Sequence, residues 1–422
     1  MTFSARLQEI RTGFERPFWI ANISELFERL SYYAAFASLA RYLHDTLDFG
    51  VERASSLTGL FGGLVWFMAV FGGALADRLG FRRALSLAYL ILSISYFLLG
   101  SIGAPWLAPV RNAMPLVVLV SIVLTLPALG IALVKPSVVG TTARASRENV
   151  RSIGYSIYYT LVNVGSLFGP LLASWVHHHI SVENVFRMAA LSVFVMFFFV
   201  LLLFKEPRRA EAEQNASLKQ IGKNFLTVLS NPRFMIFLLI FTGYWIVFWQ
   251  EFIALPLYIS KFINPQADTE KILATDPFIV ICFTMLIGVL TKKMHAFHAI
   301  VLGTLITSVA WVLLIVHASV WMAVATLVVV ATGELIQQPR YYDYVSRLAP
   351  PEQQGTYMGF AFLPLGIGSL IGGPFSGWLI HHFGEELHRP QMVWWSVIAV
   401  GLVTTLLLWI YDRIVRVDTH EA

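Results

Sequence analysis

The sequence predicts an all-α membrane protein in which twelve spanning helices form two groups of six. Three observations predict it. Of 422 residues, 57% are apolar and only 13% charged, a composition that would give a water-soluble domain of this size far more exposed apolar surface than water tolerates. Twelve stretches reach the roughly 20 mostly apolar residues that a helix needs to cross a bilayer: 18–43, 54–76, 83–103, 114–139, 153–177, 185–204, 233–259, 276–291, 297–316, 320–346, 354–380 and 391–412. One long polar segment stands between the sixth and the seventh, so the chain reads as a bundle over 1–204, a linker over 205–232 and a bundle over 233–422.

The elements follow in order. Residues 1–17 are amphipathic, carry Arg6, Arg11 and Arg16, and lack a short apolar core with a small-residue cleavage site. That is not a removed signal peptide, and the first span itself is expected to act as the insertion signal. From there Lys and Arg alternate with the spans. With the N-terminus inside, the inner loops and tails hold twenty of them and the outer loops five. The positive-inside rule then puts both termini in the cytoplasm, in a plasma membrane of the bacterial inner-membrane kind. Basic residues spread over alternating loops account for the pI of 9.2 and form no single patch, which excludes nucleic acid as a partner. Within the linker, Ile221–Leu229 is expected to form a short surface helix. The one cysteine, Cys282, falls in the eighth span; it can form no intramolecular disulfide and reads as a small core residue. His177, His178 and His179 are consecutive at a helix end, so they cannot share one helix face. They read as an interfacial turn, as do His381 and His382, and not as metal ligands.

Ionisable residues inside a span are expensive and therefore functional candidates. Glu25, Glu28 and Arg29 lie in the first span, at spacings of three and four that place them on one helical face. Lys135 lies in the fourth, Glu251 in the seventh, and Glu334 and Arg340 in the tenth. These seven charges sum to minus one, so one bound proton neutralises the set. A carboxylate that loses its basic partner during a conformational change tends to take that proton up. Purely structural ion pairs are the competing reading, but three charges within five residues exceed what packing needs.

The motifs carry a resemblance. Gly72-Gly73-Ala-Leu-Ala-Asp77-Arg78-Leu-Gly80-Phe-Arg82-Arg83 resembles the loop signature of the major facilitator superfamily, whose fold is two six-helix bundles rocking about a midplane site. In that superfamily this loop clamps the bundles on the cytoplasmic side, which implies a gating role for Asp77, Arg78 and Arg82. Glu25-Leu-Phe-Glu28-Arg29-Leu-Ser-Tyr32-Tyr33 resembles the E-x-x-E-R-F-S-Y-Y signature of the proton-dependent oligopeptide transporters. Gly130-Ile-Ala-Leu-Val-Lys135-Pro136 resembles their G-x-x-x-x-K-P, Tyr158-Tyr159-Thr-Leu-Val-Asn163-Val-Gly165-Ser166 their Y-Y-x-x-x-N-x-G-S, and Gly333-Glu334-Leu-Ile-Gln337-Gln338-Pro339 their G-E-L-x-x-x-P. The resemblance implies that Glu25, Glu28, Arg29 and Lys135 couple protonation to gating. It further implies that Tyr32, Tyr33, Asn163 and Glu334 line a substrate pocket in which Glu334 engages an amino group. Trp66 stands where the family usually has a pocket tyrosine; core packing is the competing reading for Tyr32, Tyr33 and Trp66, and the weaker one.

The pattern also breaks. Phe36 stands where the family commonly has an arginine that helps to hold a peptide carboxylate, and Ala361 replaces a pocket tryptophan. The seventh-span motif is altered to Phe248-Trp249-Gln250-Glu251, with the glutamate two residues closer. Phe36, Trp249, Gln250, Glu251, Gln337 and Gln338 complete the expected substrate-binding set. The expectation is a monomeric, cofactor-free carrier whose partners are a small-molecule substrate, protons and the lipid bilayer. Its function would be proton-coupled symport of di- or tripeptides or peptide-like solutes, or else carriage or export of a non-peptide amphipathic solute. A sensor would need an effector domain, and an enzyme would need a nucleophile–base pair or metal set at membrane depth; neither is found.

Overall fold

The computed structural model describes residues 13–207, 226–350 and 354–415, and these are almost wholly helical, with no strand among them. The long helices are α1 (Arg16–Arg41), α2 (Val51–Leu79), α3 (Phe81–Leu99), α4 (Leu116–Arg144), α5 (Arg151–His179) and α6 (Val182–Leu203). After the linker come α7 (Pro232–Phe248), α8 (Thr275–Leu290), α9 (Ala296–Ala310), α10 (Val320–Leu348), α11 (Leu363–Leu379) and α12 (Gln391–Val415). Eleven spans are long and apolar enough to cross a membrane, counting α7 with its continuation to Ile263, α8 from Thr269 and α11 within Thr356–Glu386. The twelfth is α1. Its 26 residues measure about 39 Å at 1.5 Å per residue, and only Glu25, Glu28 and Arg29 set its composition apart. Leu191, Val195 and Leu202 on α6 and Leu286, Val289 and Leu290 on α8 are exposed, a surface suited to acyl chains and not to water.

Span boundaries fall within a few residues of the expected ones, except at the eighth. Asp268 accepts a hydrogen bond from the Lys271 amide and starts a helical turn, Thr269–Leu273, that runs on into α8. The span therefore begins at Thr269 and takes Asp276 inside it. Of the expected linker helix, 226–229 is helical and the remainder lies outside the described residues. Cys282 corrects another expectation: it is exposed on α8, beside exposed Phe278, Ile281 and Phe283, because a thiol is apolar enough to face lipid. His178 and His179 each bond a carbonyl one turn back on α5, and His381 and His382 pair with Glu385 and Glu386.

The chain divides into two compact units, Met1–Ser38 with Met68–Ser217, and Leu39–Phe67 with Leu218–Ala422. In the first, α3 packs on α4 and α6, and α5 on α4 and α6. Pro136 has no N–H to give the Ala132 carbonyl, and Gly72 of α2 lies against that same carbonyl with no room for a Cβ. The glycine of the loop signature and the proline of the Lys-Pro pair therefore serve one helix contact. Gly80, at φ 83°, occupies the left-handed region that favours glycine and turns α2 into α3. In the second unit, α9 packs on α10 and α12, and α7 on α11 and α12. There the first half of α2 also meets α11 along small residues. A Cβ on Gly59 would lie 2.6 Å from the Gly373 Cα, and one on Gly377 2.6 Å from the Glu52 Cα, while Ser369 donates to the Gly59 carbonyl at 3.0 Å. The two helices touch backbone to backbone. α7 breaks after Phe248, where Pro256 leaves the carbonyl of residue 252 without its helical partner.

Candidate functional site

In the first unit the residues of the α1 signature fold into one buried polar cluster. Arg29 is 1% exposed and Glu25 and Glu28 are fully buried. The Arg29 Nε donates to Glu28 Oε2 at 2.5 Å and lies 3.4 Å from Glu25 Oε1, so one guanidinium spans both carboxylates. Lys135, from α4, acts electrostatically on all three. Two acids and two bases thus act on one another electrostatically within this unit. Both Glu25 oxygens and Glu28 Oε1 have no hydrogen-bond partner, which leaves acceptor capacity that a proton would fill.

Aromatic side chains wall this cluster. The Arg29 guanidinium carbon lies 5.1 Å from the Tyr32 ring centre, a cation–π distance. Tyr32 in turn meets Tyr33 edge-on at 5.1 Å and Phe36 at 5.6 Å. Tyr89 donates to Ser24 at 2.9 Å and lies within electrostatic reach of Glu25 and Glu28, as Tyr158 of α5 does of Glu25, Arg29 and Tyr33. The glycines of the α5 motif explain how these residues come close. A Cβ on Gly165 would stand 2.8 Å from the Arg29 Cβ, and one on Gly169 2.7 Å from the Leu30 carbonyl. Asn163 is partly buried on α5, and its amide donates to the Tyr159 carbonyl at 2.8 Å.

At the end of α2, the side chain of Asp77 lies outside the described residues and Arg78 is exposed. Arg82 donates to the Leu201 carbonyl at 2.6 Å. Glu206, just beyond α6, accepts from the backbone amides of Phe81 and Arg82 at 2.8 and 2.9 Å, capping α3 from a distant part of the chain.

In the second unit, two of the expected pocket residues are taken up by the helix framework. The Trp249 indole donates to the Leu365 carbonyl at 2.9 Å, and Gln250 accepts from Ser376 at 2.5 Å while donating to the Ile246 carbonyl at 2.7 Å. They pin the broken end of α7 to α11. Trp66 stacks on Phe362 at 5.6 Å. Glu251 is 1% exposed and feels the charges of Glu334 and of Asp276, a residue not among those expected from the sequence. Gln337 is fully buried and Gln338 partly so, one turn beyond Glu334 on α10. Asp276 escaped because Asp268, Thr269, Glu270 and Lys271 give the start of its span the look of a loop. The available signal was the Asp268 cap followed by an unbroken run to Leu290.

The comparisons with known proteins agree on the fold. The family model described as "Major Facilitator Superfamily" matches residues 21–266 and 267–421. Among curated relatives, "Multidrug resistance protein MdtH" of Enterobacter sp. (strain 638) is 24% identical over 351 residues, 81% of each chain. The protein of the same name from Sodalis glossinidius is 25% identical over 385 residues, 89% of each. Among solved structures, a POT family transporter in complex with 5-aminolevulinic acid superposes with a TM-score of 0.77 at 18% identity, covering 94% of this chain and 96% of that one. The POT family transporter with a thioalcohol-conjugated peptide gives 0.76 at 18% identity over 95% and 96%. The resemblance in sequence thus extends to the fold, while the named relatives carry a different label. With twelve spanning helices and a family model matched from α1 to the tail, the chain belongs to the Major Facilitator Superfamily and is a multi-pass membrane transporter of that type.

Proposed function

We propose that this transporter is a proton-coupled carrier of small organic solutes, with Glu25, Glu28, Arg29 and Lys135 as the coupling set. The observation that supports it is the Arg29 guanidinium held between two buried carboxylates that keep unpartnered oxygens. Such a group changes its proton occupancy whenever a helix movement loosens the guanidinium. Glu28, the more tightly paired, is the main proton site, and Glu334 holds an amino group of the solute. The driving force is the proton gradient, with no cofactor, and the chain works as a monomer in a bacterial inner membrane with both termini cytoplasmic.

Peptides or peptide-like solutes fit the signatures on α1, α4, α5 and α10. A second reading, export or carriage of a non-peptide amphipathic solute, draws support from one position. Phe36 is fully buried against Tyr32, where a peptide carboxylate would call for a cation, and the curated relatives are named for multidrug resistance. Purified protein in pyranine-loaded liposomes tests the coupling. Solute addition should change internal pH in the unmodified protein, and Glu28→Gln should abolish proton-driven accumulation while solute exchange persists. Unchanged accumulation in Glu28→Gln would refute the assignment.

A further inference from the structure

Within the second compact unit, three helical stretches finish in a π-turn at the end that the orientation proposed above places outside. These turns are Tyr42–Thr46 after α1, Ile259–Ile263 at the end of the α7 continuation and Ile380–Glu386 after α11. Widened turns of this kind often stand at functional sites. The second and third pack on each other. A Cβ on Gly384 would lie 2.5 Å from the Phe262 Cζ, and the Lys261 ammonium donates to Glu385 Oε1 at 2.6 Å. Arg41 donates to the Ala267 carbonyl at 3.1 Å and the Pro265 carbonyl at 3.4 Å, tying the end of α1 to the chain just past the second turn.

From Lys261 the polar contacts run on without a gap. Glu385 turns Oε1 to Lys261 and Oε2 to His381 Nδ1, at 2.8 Å. His381 Nε2 lies 3.5 Å from Glu386 Oε1, and Glu386 Oε2 lies 2.8 Å from His382 Nδ1. His381 therefore has a carboxylate oxygen at each ring nitrogen. A neutral imidazole has one N–H and one lone pair and can satisfy only one of these contacts, whereas an imidazolium donates to both. The charges agree: Lys261 and protonated His381 balance Glu385 and Glu386, and a neutral ring leaves the four one negative charge in excess. His382 needs no proton, since it meets one carboxylate and stacks on Trp378 at 5.2 Å. The His381 side chain is 43% exposed, so its proton exchanges with water. Of the neighbouring elements, α2 brings Glu52, which acts on His381 electrostatically and whose Cα would lie 2.6 Å from a Cβ on Gly377, one turn before it. His388 and Arg389 follow the turn, and α12, which packs on it, carries no ionisable side chain before Tyr411.

The segment that Lys261 holds is built as a lever. α7 breaks after Phe248, and regular helix resumes at Ala254 and leads into the turn that ends at Ile263. Trp249 and Gln250 pin the break to α11, so the segment is anchored at its inner end and fastened at its outer end through Lys261 and Phe262. We infer that Lys261, Glu385, His381 and Glu386 form a proton-operated latch, which holds the outer ends of α7 and α11 together while His381 is protonated and releases them when it is not. On losing its proton the ring keeps one carboxylate contact and turns a lone pair on the other. The latch is thus closed below the titration of His381 and opens as pH rises through it. It is distinct from the coupling set on α1 and α4 and goes beyond the carrier reading, from which it takes only the outward direction.

Dipolar coupling between two nitroxides tests the latch on the full chain in detergent, with neither solute nor gradient, so its outcome is separate from that of the pyranine assay. The labels go on Gln266→Cys and Leu387→Cys, both exposed, in a Cys282→Ser background. Coupling should be strong near about pH 6 and weaken toward about pH 8.5, on either side of the ordinary histidine range. The closed-to-open ratio should fall by up to about tenfold per pH unit in between, as linkage to one proton requires. His381→Arg keeps a cation between the two carboxylates and should stay coupled at both pH values. His381→Gln cannot carry the charge and should be uncoupled at both. If His381→Gln does not fold, the unmodified protein and His381→Arg decide between them. Coupling that ignores pH in the unmodified protein, or a pH response that survives in His381→Arg, would overturn the latch while leaving the carrier reading untouched.

Discussion

Arg29 is the residue on which the first unit turns. It lies between two carboxylates, beneath a tyrosine ring and against Gly165, with a side chain 2% exposed. Removing one partner of a buried ionic set leaves an uncompensated charge, which costs about 3–5 kcal/mol. Arg29→Met should therefore lower the thermal unfolding midpoint in detergent well below that of Glu25→Gln, because Arg29 pairs with both carboxylates whereas Glu25 makes only the longer contact, at 3.4 Å. Equal midpoints for the two variants would mean that Arg29 does not hold the cluster together. Much of this was legible beforehand, because Glu25-x-x-Glu28-Arg29 places its own members on one helix face. Lys135 was legible only through the resemblance, since nothing in its local sequence says which helix it meets. Asp276 was missed for a physical reason: polar residues at the start of a span look like loop until a helix cap and a tertiary neighbour draw them in.

At the scale of helices, the motif residues divide into those that meet other helices and those that can meet a solute. Gly72, Gly165 and Gly169 are contact residues, each set where another backbone comes too close for a side chain. Trp249 and Gln250, expected in the pocket, also hydrogen-bond α11 and the α7 backbone. A sequence shows that a polar residue sits at membrane depth; it does not show whether a neighbouring carbonyl already occupies it. Glu206 makes the same point at the other end of α3, whose first amides it satisfies from beyond α6. Losing such a cap costs about 0.5–2 kcal/mol. Glu206→Ala should thus lower the unfolding midpoint measurably, while Glu206→Asp should lower it less if it still reaches. A midpoint unaffected by Glu206→Ala would mean that water serves those amides equally well.

For the whole molecule, the alternation of basic loops sets a topology that a simple labelling experiment can check. Cys282 is the one native thiol, so Cys282→Ser supplies a cysteine-free background. A cysteine placed at Lys205 should react with a membrane-impermeant maleimide only after the cells are opened, and one placed at Asp48 should react in intact cells. The reverse pattern would invert the orientation. The spans and their number were legible because hydropathy records the bilayer directly. The grouping of Leu39–Phe67 with Leu218–Ala422 was not, since it depends on which helix faces meet. The contact between α2 and α11 within that unit has a consequence for how this protein can vary. Gly59, Gly373 and Gly377 sit at the lower limit of size, so every substitution there adds atoms where none fit. Elsewhere a lost contact can be rebuilt by a larger neighbour. Along this seam there is no compensating change, and the three positions are closed to drift even though they touch neither proton nor cargo.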